Sequence, residues 1–106
     1  DEIVYRGLSY AHYQLENFEE AKPFWIARME LLLDAGETLE REDYAYLNGL
    51  YFTLEDFESA LDLTKTMIVL YDNQTDWQNL SAIYAGLEND DRGLQALNLY
   101  YNPFFF

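Results

Sequence analysis

The chain has 106 residues, a length typical of one domain. Half of the residues are apolar and 18% are aromatic, which is enough to form a packed core. Its 20 acidic and 6 basic residues give a formal net charge of -14, which argues against nucleic acid and anionic membrane surfaces as partners, because both attract clustered Lys and Arg. Cysteine is absent, which excludes disulfides and thiolate chemistry, and no apolar run approaches the roughly 20 residues that a membrane-spanning helix needs.

Apolar residues recur at spacings of three and four along the chain, a periodicity that predicts amphipathic helices instead of strands. Three periodic segments are expected to form the first helix of a pair, and they run over residues 3–15, 44–54 and 77–87. Each is followed by a second periodic stretch, and these run over residues 18–33, 57–70 and 92–101. The sequence therefore predicts six helices arranged in three pairs.

One phrase joins the two helices of every predicted pair: "LENFEEA" at 15–21, "LEDFESA" at 54–60 and a degenerate copy, "LENDDRG", at 87–93. Its leucine is expected to end one helix, its Asn or Asp to cap the next, and its acids to occupy the first turn, where the helix dipole favours negative charge. The small residue that closes the phrase lets the two helices approach closely. Thr75 and Gln78 are expected to form a capping box that opens the fifth helix.

The phrases recur roughly 35 residues apart, which indicates a repeat array. Trp77, Leu80, Ser81 and Tyr84 follow the order W-x2-L-G-x2-Y, and over nearly its whole length the chain resembles the tetratricopeptide repeat (TPR) family. The resemblance implies an all-α fold, a right-handed α-solenoid of about three helix–turn–helix repeats at residues 2–35, 41–73 and 74–103 of a single domain spanning 1–106. Extra residues in the first spacing lengthen the second helix or open a longer loop at Gly36. We expect the chain to be a piece of a longer protein.

A narrower likeness is carried by "YLNGLYFTLEDFESAL" and "DWQNLSAIYAGLEND". This text is similar to that of the TPR proteins encoded beside TonB–ExbB–ExbD systems in Gram-negative bacteria. The likeness implies a periplasmic protein that assists energy-coupled uptake through the outer membrane. The wider family alone leaves a cytoplasmic location open.

In the TPR family the first helix of each repeat lines a concave wall, and that resemblance implies a partner-binding face here. Tyr10, Tyr13 and Phe52 are expected to form an apolar platform for a basic or apolar protein segment, because aromatic side chains are common anchors of interfaces. Small residues near Gly86 are expected to leave room for that segment. The alternative is that the aromatic wall packs against neighbouring repeats. The partner-binding residues implied by the resemblance are Arg6, Tyr10, Tyr13, Gln14, Phe52 and Gln78.

The sequence contains no pattern typical of an enzyme. His12 is the only histidine and takes a core position of the repeat, so zinc sites and Cys–His chemistry lack their residues. Capping explains the acids at helix starts, which leaves a carboxylate-dependent hydrolase as a weaker alternative. We therefore predict a non-catalytic scaffold for protein–protein interaction, with no metal or cofactor and no insertion into a membrane. The other alternative is a structural segment that self-associates through Phe104, Phe105 and Phe106.

Overall fold

The computed structural model describes residues 1–101, which form six α-helices and no strand. The predicted all-α class and the six helices in their predicted order are confirmed over these residues. A helix both long and apolar enough to cross a bilayer is absent from the same part of the chain. The residues expected to mediate self-association, 104–106, lie outside the described residues. The helices are α1 (Glu2–Gln14), α2 (Phe18–Asp34), α3 (Arg41–Thr53), α4 (Phe57–Tyr71), α5 (Gln74–Gly86) and α6 (Asp90–Tyr101).

The helices divide between two compact units. The first unit, Asp1–Leu54, contains α1, α2 and α3, and within it α2 packs against both of the other helices. The second unit begins at Glu55 and contains α4, α5 and α6, with α5 packed against both neighbours. The grouping of residues 1–106 into a single domain of three repeats remains a prediction.

The repeated phrase ends each first helix at its leucine, as predicted: Leu15, Leu54 and Leu87 are the C-caps of α1, α3 and α5. The structure adds a feature that the sequence analysis missed. The glutamate after each leucine adopts a left-handed backbone conformation, a position that usually belongs to Gly or Asn. These residues are Glu16, Glu55 and Glu88, with φ values of 60°, 57° and 58°.

Hydrogen bonds explain why the chain turns at these glutamates. After α1, the N–H of Glu16 donates to the carbonyl of Tyr13 at 3.0 Å, and the N–H of Asn17 donates to the carbonyl of His12 at 2.8 Å. These two bonds form a Schellman motif, which satisfies carbonyls that have no partner within the helix. Gly36, with φ 79°, ends α2 in the same way. Both alternatives for the extra residues occur, because α2 is the longest helix at 17 residues and a loop follows Gly36.

The predicted N-caps are confirmed in position, although their hydrogen bonds differ. The carboxylate of Asp56 accepts from the N–H of Ser59 at 3.3 Å, and the Asn89 side chain accepts from the N–H of Arg92 at 3.5 Å. Asn17 occupies the N-cap of α2 without a capping hydrogen bond from its side chain. The first turn of α2 therefore depends on its acids and its packing more than on its cap.

The predicted capping box of Thr75 and Gln78 is wrong. Helix α5 begins one residue before Thr75, and its N-cap is Asn73, whose side-chain oxygen accepts from the N–H of Thr75 at 2.9 Å. Asn is at least as good a cap as Thr, so the earlier residue takes the role. A box-type contact occurs instead at α3, where the Asp43 carboxylate accepts from the N–H of Glu40 at 2.9 Å.

Small residues lie where paired helices approach each other. Ser9 and Ala21 are both fully buried between α1 and α2, and the Ser9 hydroxyl donates to the Ala21 carbonyl at 2.8 Å. Between α5 and α6, a Cβ placed on Gly93 would lie 3.2 Å from the carbonyl oxygen of Ser81. Gly93 therefore permits the close approach of these two helices, the role predicted for the last residue of the phrase.

Candidate functional site

Tyr46 lies at the centre of a group of rings in the first unit. Its ring centroid is 4.1 Å from that of Trp25, 5.5 Å from that of Tyr10 and 5.7 Å from that of Tyr13. Tyr10 also stacks on Trp25, and Tyr13 meets Phe18 edge to face at 5.3 Å. Tilted and edge-to-face pairs of this kind add to the stabilisation from buried area. We call these five residues, from α1, α2 and α3, the aromatic cluster.

The aromatic cluster has a buried base and an exposed edge. The side chain of Trp25 is only 2% exposed, whereas Tyr10 and Tyr13 are 46% and 42% exposed. Tyr10 packs on the buried ring of Trp25, and Tyr13 packs on the half-buried rings of Tyr46 and Phe18. A surface of this kind presents apolar area in a fixed orientation. Less conformational entropy of this chain is therefore lost when a partner binds.

Polar contacts fix the orientation of Tyr46 and Trp25, two rings of the aromatic cluster. The Tyr46 hydroxyl lies 3.1 Å from the hydroxyl of Ser9, and the indole N–H of Trp25 donates to the carbonyl of Asp43 at 2.9 Å. Burial raises the pKa of Tyr46, the hydrogen bond with Ser9 opposes that shift, and the nearby Tyr10 and Tyr13 reinforce it. The folded state consequently favours the protonated Tyr46 hydroxyl, whose pKa lies above its ordinary value.

Arg28 connects the three helices of the first unit. Its guanidinium bonds to the carboxylate of Glu2 on α1 and, at 2.8 Å, to that of Asp43 on α3. The same group lies 4.5 Å from the centroid of the Trp25 ring, in cation–π contact. Burial alone would lower the pKa of Arg28, but the hydrogen bonds and charges of Asp43 and Glu2 raise it overall. The cation is therefore permanent, and it supports the aromatic cluster from its buried side.

The structure brings together some of the predicted site residues. Tyr10 and Tyr13 both contact Tyr46, and Arg6 and Gln14 are exposed on the same helix as these two tyrosines. Phe52, on α3 of the same unit, is half-buried. The platform of Tyr10, Tyr13 and Phe52 remains a prediction. Gln78 is exposed on α5 and belongs to the second unit.

The space expected beside the small residues of α5 is partly filled. A Cβ placed on Gly86 would lie 2.9 Å from the ring of Phe57, so that ring occupies the position where we expected room for a partner. A shallow pocket of about 220 Å³ remains in the second unit between α5 and α6. It is lined by Ser81, Ala85, Gly93 and Leu94.

Two converging carboxylates and the histidine have identified neighbours in the first unit. Glu2 and Asp43 are two carboxylates that converge, and the group on which they converge is the guanidinium of Arg28. His12 is half-buried, and its ring stacks on that of Phe24 at 5.6 Å. Its Nδ1 is buried without a hydrogen-bond partner among the described residues. Within residues 1–101, no group of three or more His, Asp and Glu side chains is arranged to hold a metal ion.

The sequence did not indicate two residues that make the central contacts of this site, Tyr46 and Arg28. Neither Tyr46 nor Arg28 is among the site residues predicted from the sequence. Arg28 is separated from Glu2 by 26 residues and from Asp43 by 15. One signal in the sequence could have indicated the contacts of Arg28. This arginine lies on the apolar side of α2, and acids occupy the first turns of the neighbouring helices.

No protein-family model and no curated protein matches this sequence. The interpretation of the site consequently depends on the chemistry of its own residues.

Proposed function

We propose that this chain is a non-catalytic module that binds a basic or apolar segment of another protein at the exposed edge of the aromatic cluster. The observation that carries the proposal is the exposure of Tyr10 and Tyr13, at 46% and 42%, although both rings are fixed against Tyr46. Aromatic side chains that are ordered before binding are effective anchors, because they bury a large area at a small cost in entropy.

Charge favours a basic segment over an acidic one. The chain carries a formal net charge of -14, so cationic partners are attracted over long distances and anionic partners are repelled. Lysine and arginine side chains can also lie over tyrosine rings, a contact that this chain makes internally where Lys22 approaches the ring of Tyr51 at 5.9 Å. We therefore expect the preferred segment to combine Lys or Arg with large apolar residues.

We propose further that the helices form a right-handed solenoid of three TPR-like repeats. The support is the repetition of one local structure: a leucine C-cap, a left-handed glutamate and a new helix, at residues 15–18, 54–57 and 87–90. In that arrangement the concave face carries Arg6, Tyr10, Tyr13, Gln14, Phe52 and Gln78.

The narrower proposal is a periplasmic protein that supports TonB-dependent transport, and its support is the likeness of sequence alone. Fractionation of cells that produce the natural protein, with periplasmic and cytoplasmic markers, tests the location. Recovery with the cytoplasmic marker contradicts it.

A peptide array tests the proposed binding. Peptides that vary in Lys, Arg, Leu and Phe content are screened against the whole chain, and the dissociation constant of the best peptide is measured by fluorescence anisotropy. We expect the double variant Tyr10→Ala plus Tyr13→Ala to weaken binding by roughly tenfold or more.

The matched control is Tyr71→Ala, which removes a tyrosine that is 36% exposed in the second unit. Its affinity should equal that of the unmodified chain. Equal affinities for the control and the double variant would show that the aromatic cluster is not the binding site.

A further inference from the structure

A second exposed surface of α1 is separate from its tyrosines. Val4, Leu8, Ala11 and Leu15 succeed one another at spacings of four, three and four, so they form one line along the helix and its cap. Val4 is 53% exposed, Leu8 38% and Leu15 70%, and Ala11 is also exposed. We call these four residues the α1 stripe. By the helical repeat it extends for about 17 Å.

The packing of the first unit does not account for the α1 stripe. Helix α1 meets α2 through another side, where Ser9 is fully buried and bonded to Ala21. Tyr10 and Tyr13 also face α2, through the rings of Trp25 and Phe18 in the aromatic cluster. Gly7 lies one helical turn from Val4 and from Ala11, and a Cβ placed on it would meet nothing within 4 Å, so the helix is open beside this end of the stripe.

The surroundings of the α1 stripe are unusually apolar for this chain. Of the 12 large apolar side chains that are exposed among the described residues, 6 lie within residues 1–15. The two ionised side chains of α1 are Glu2, which is directed to Arg28, and Arg6. The stripe itself contains no acid, in a chain with a net charge of -14. A contiguous exposed apolar surface of this kind marks an interaction site more often than chance.

We propose that the α1 stripe binds an amphipathic helix of another protein, one that carries Lys or Arg beside its own apolar residues. The spacing of the stripe matches the 3.5-residue repeat by which helices pack side by side, and not the two-residue repeat of an added strand. Charge selects the partner: a cationic helix gains from the field of a chain with charge -14, whereas a second copy of this chain would bring the same charge again. The proposal does not depend on the function of the aromatic cluster.

Defined peptides test the proposal. The first probe is a peptide of about 21 residues, three heptads, with Leu at both core positions and Lys beside them. The second has Glu in place of each Lys, and the third has the composition of the first with its leucines out of register. We expect the Lys peptide to bind the whole chain and to shift the amide NMR signals of residues 3–15, and the other two to bind at least tenfold more weakly.

Paired variants decide which surface binds. Val4→Ser plus Leu8→Ser should weaken binding of the Lys peptide roughly tenfold or more, whereas Val69→Ser plus Leu70→Ser, which removes exposed apolar area from α4, should leave it unchanged. In Tyr10→Ala plus Tyr13→Ala the Lys peptide should still shift the amide NMR signals of Val4, Leu8 and Leu15, whatever the change in its overall affinity, which separates this site from the aromatic cluster. Circular dichroism checks that each variant is folded, as expected for exposed positions.

Three results would overturn the proposal. The first is equal binding by the stripe variant and the α4 control. The second is equal affinity for the Lys and Glu peptides, which would remove the role of charge. The third is a dimer in sedimentation that Leu8→Ser dissociates, which would make a second copy the occupant.

Discussion

Arg28 is the residue on which the three helices of the first unit converge, and its removal should be costly. Its side chain is 10% exposed and is bonded to two carboxylates. Arg28→Met removes the cation and leaves Glu2 and Asp43 without it, partly buried and close to each other. Because an uncompensated buried charge is strongly unfavourable, we expect the free energy of unfolding to fall by about 3 kcal/mol in urea denaturation.

An ion pair with one exposed member supplies the control. Lys22 pairs with Glu19 at 3.6 Å, and the Glu19 side chain is 69% exposed. Lys22→Met should change the free energy of unfolding by less than about 1 kcal/mol, because exposed pairs contribute little. If Arg28→Met and Lys22→Met lower the free energy of unfolding equally, Arg28 contributes no more to stability than a surface charge does.

Tyr46 predicts a dependence of stability on alkaline pH. Its folded-state pKa is raised above the ordinary value of about 10 by burial. Stability from this residue is therefore complete below pH 10 and is lost as the pH rises from there through the raised pKa, because only the unfolded chain ionises readily. As the pH rises from 9 through the raised pKa of Tyr46, the free energy of unfolding should fall more for the unmodified chain than for Tyr46→Phe. Urea denaturation at each pH measures the difference, and parallel curves would contradict the prediction.

At the scale of the helices, the left-handed glutamates are sites of avoidable strain. A left-handed conformation costs a residue with a side chain about 1–2 kcal/mol, and glycine avoids that cost while losing part of the gain to chain entropy. We expect Glu16→Gly and Glu88→Gly each to raise the free energy of unfolding by about 0.5–1 kcal/mol. Thermal or urea denaturation measures the change.

The control for these variants places the same substitution inside a helix. Glu30 is exposed in the interior of α2, where Glu30→Gly should lower the free energy of unfolding by about 1 kcal/mol. The two kinds of site are therefore expected to respond with opposite sign. A loss of stability at Glu16 as well would show that the glutamate side chain makes a contact worth more than the strain.

The helices themselves could be predicted from the sequence because the signals that define them are local. Apolar periodicity located all six, and the leucine of the repeated phrase ended α1, α3 and α5 at the expected residues. The error at α5 was also local: Asn73 and Thr75 are both good caps, and only Gln74 separates them. Which of two adjacent candidates caps a helix depends on small differences in backbone geometry that residue type does not reveal.

The candidate site was less predictable because its contacts join distant parts of the chain. Tyr10 and Tyr13 were predicted from the resemblance to the TPR family, but the ring that joins them, Tyr46, lies 37 residues after Ser9, with which it shares a hydrogen bond. The same limit applies to the bonds of Arg28 with Glu2 and Asp43. Helical periodicity indicates which side of a helix is buried, and it does not indicate which residue of another helix it meets.

At the scale of the whole molecule, net charge should make folding and binding respond to salt in opposite directions. The Debye length falls from about 30 Å at 0.01 M to about 3 Å at 1 M, which screens the mutual repulsion of the acids in a chain of charge -14. We expect the free energy of unfolding to rise by on the order of 1 kcal/mol over this range, and the affinity for a Lys-rich peptide to fall.

The comparison of two salts separates screening from the binding of a particular cation. NaCl and choline chloride at equal ionic strength should have equal effects on both quantities, since screening depends on ionic strength alone. A stabilisation that occurs only with one of the salts, or a peptide affinity that does not fall, would contradict this explanation.

The two tryptophans give the chain a built-in pair of optical reporters, one in each compact unit. Trp25 is 2% exposed among the rings of the first unit, and Trp77 is half-buried in the second, where its indole N–H donates to Asp72 at 2.9 Å. Trp77→Phe therefore leaves fluorescence that reports on the first unit, and Trp25→Phe leaves fluorescence that reports on the second. In each variant the fluorescence midpoint is compared with the midpoint from circular dichroism, which reports on both units: coincident midpoints would identify one cooperative domain, and separate midpoints would identify two.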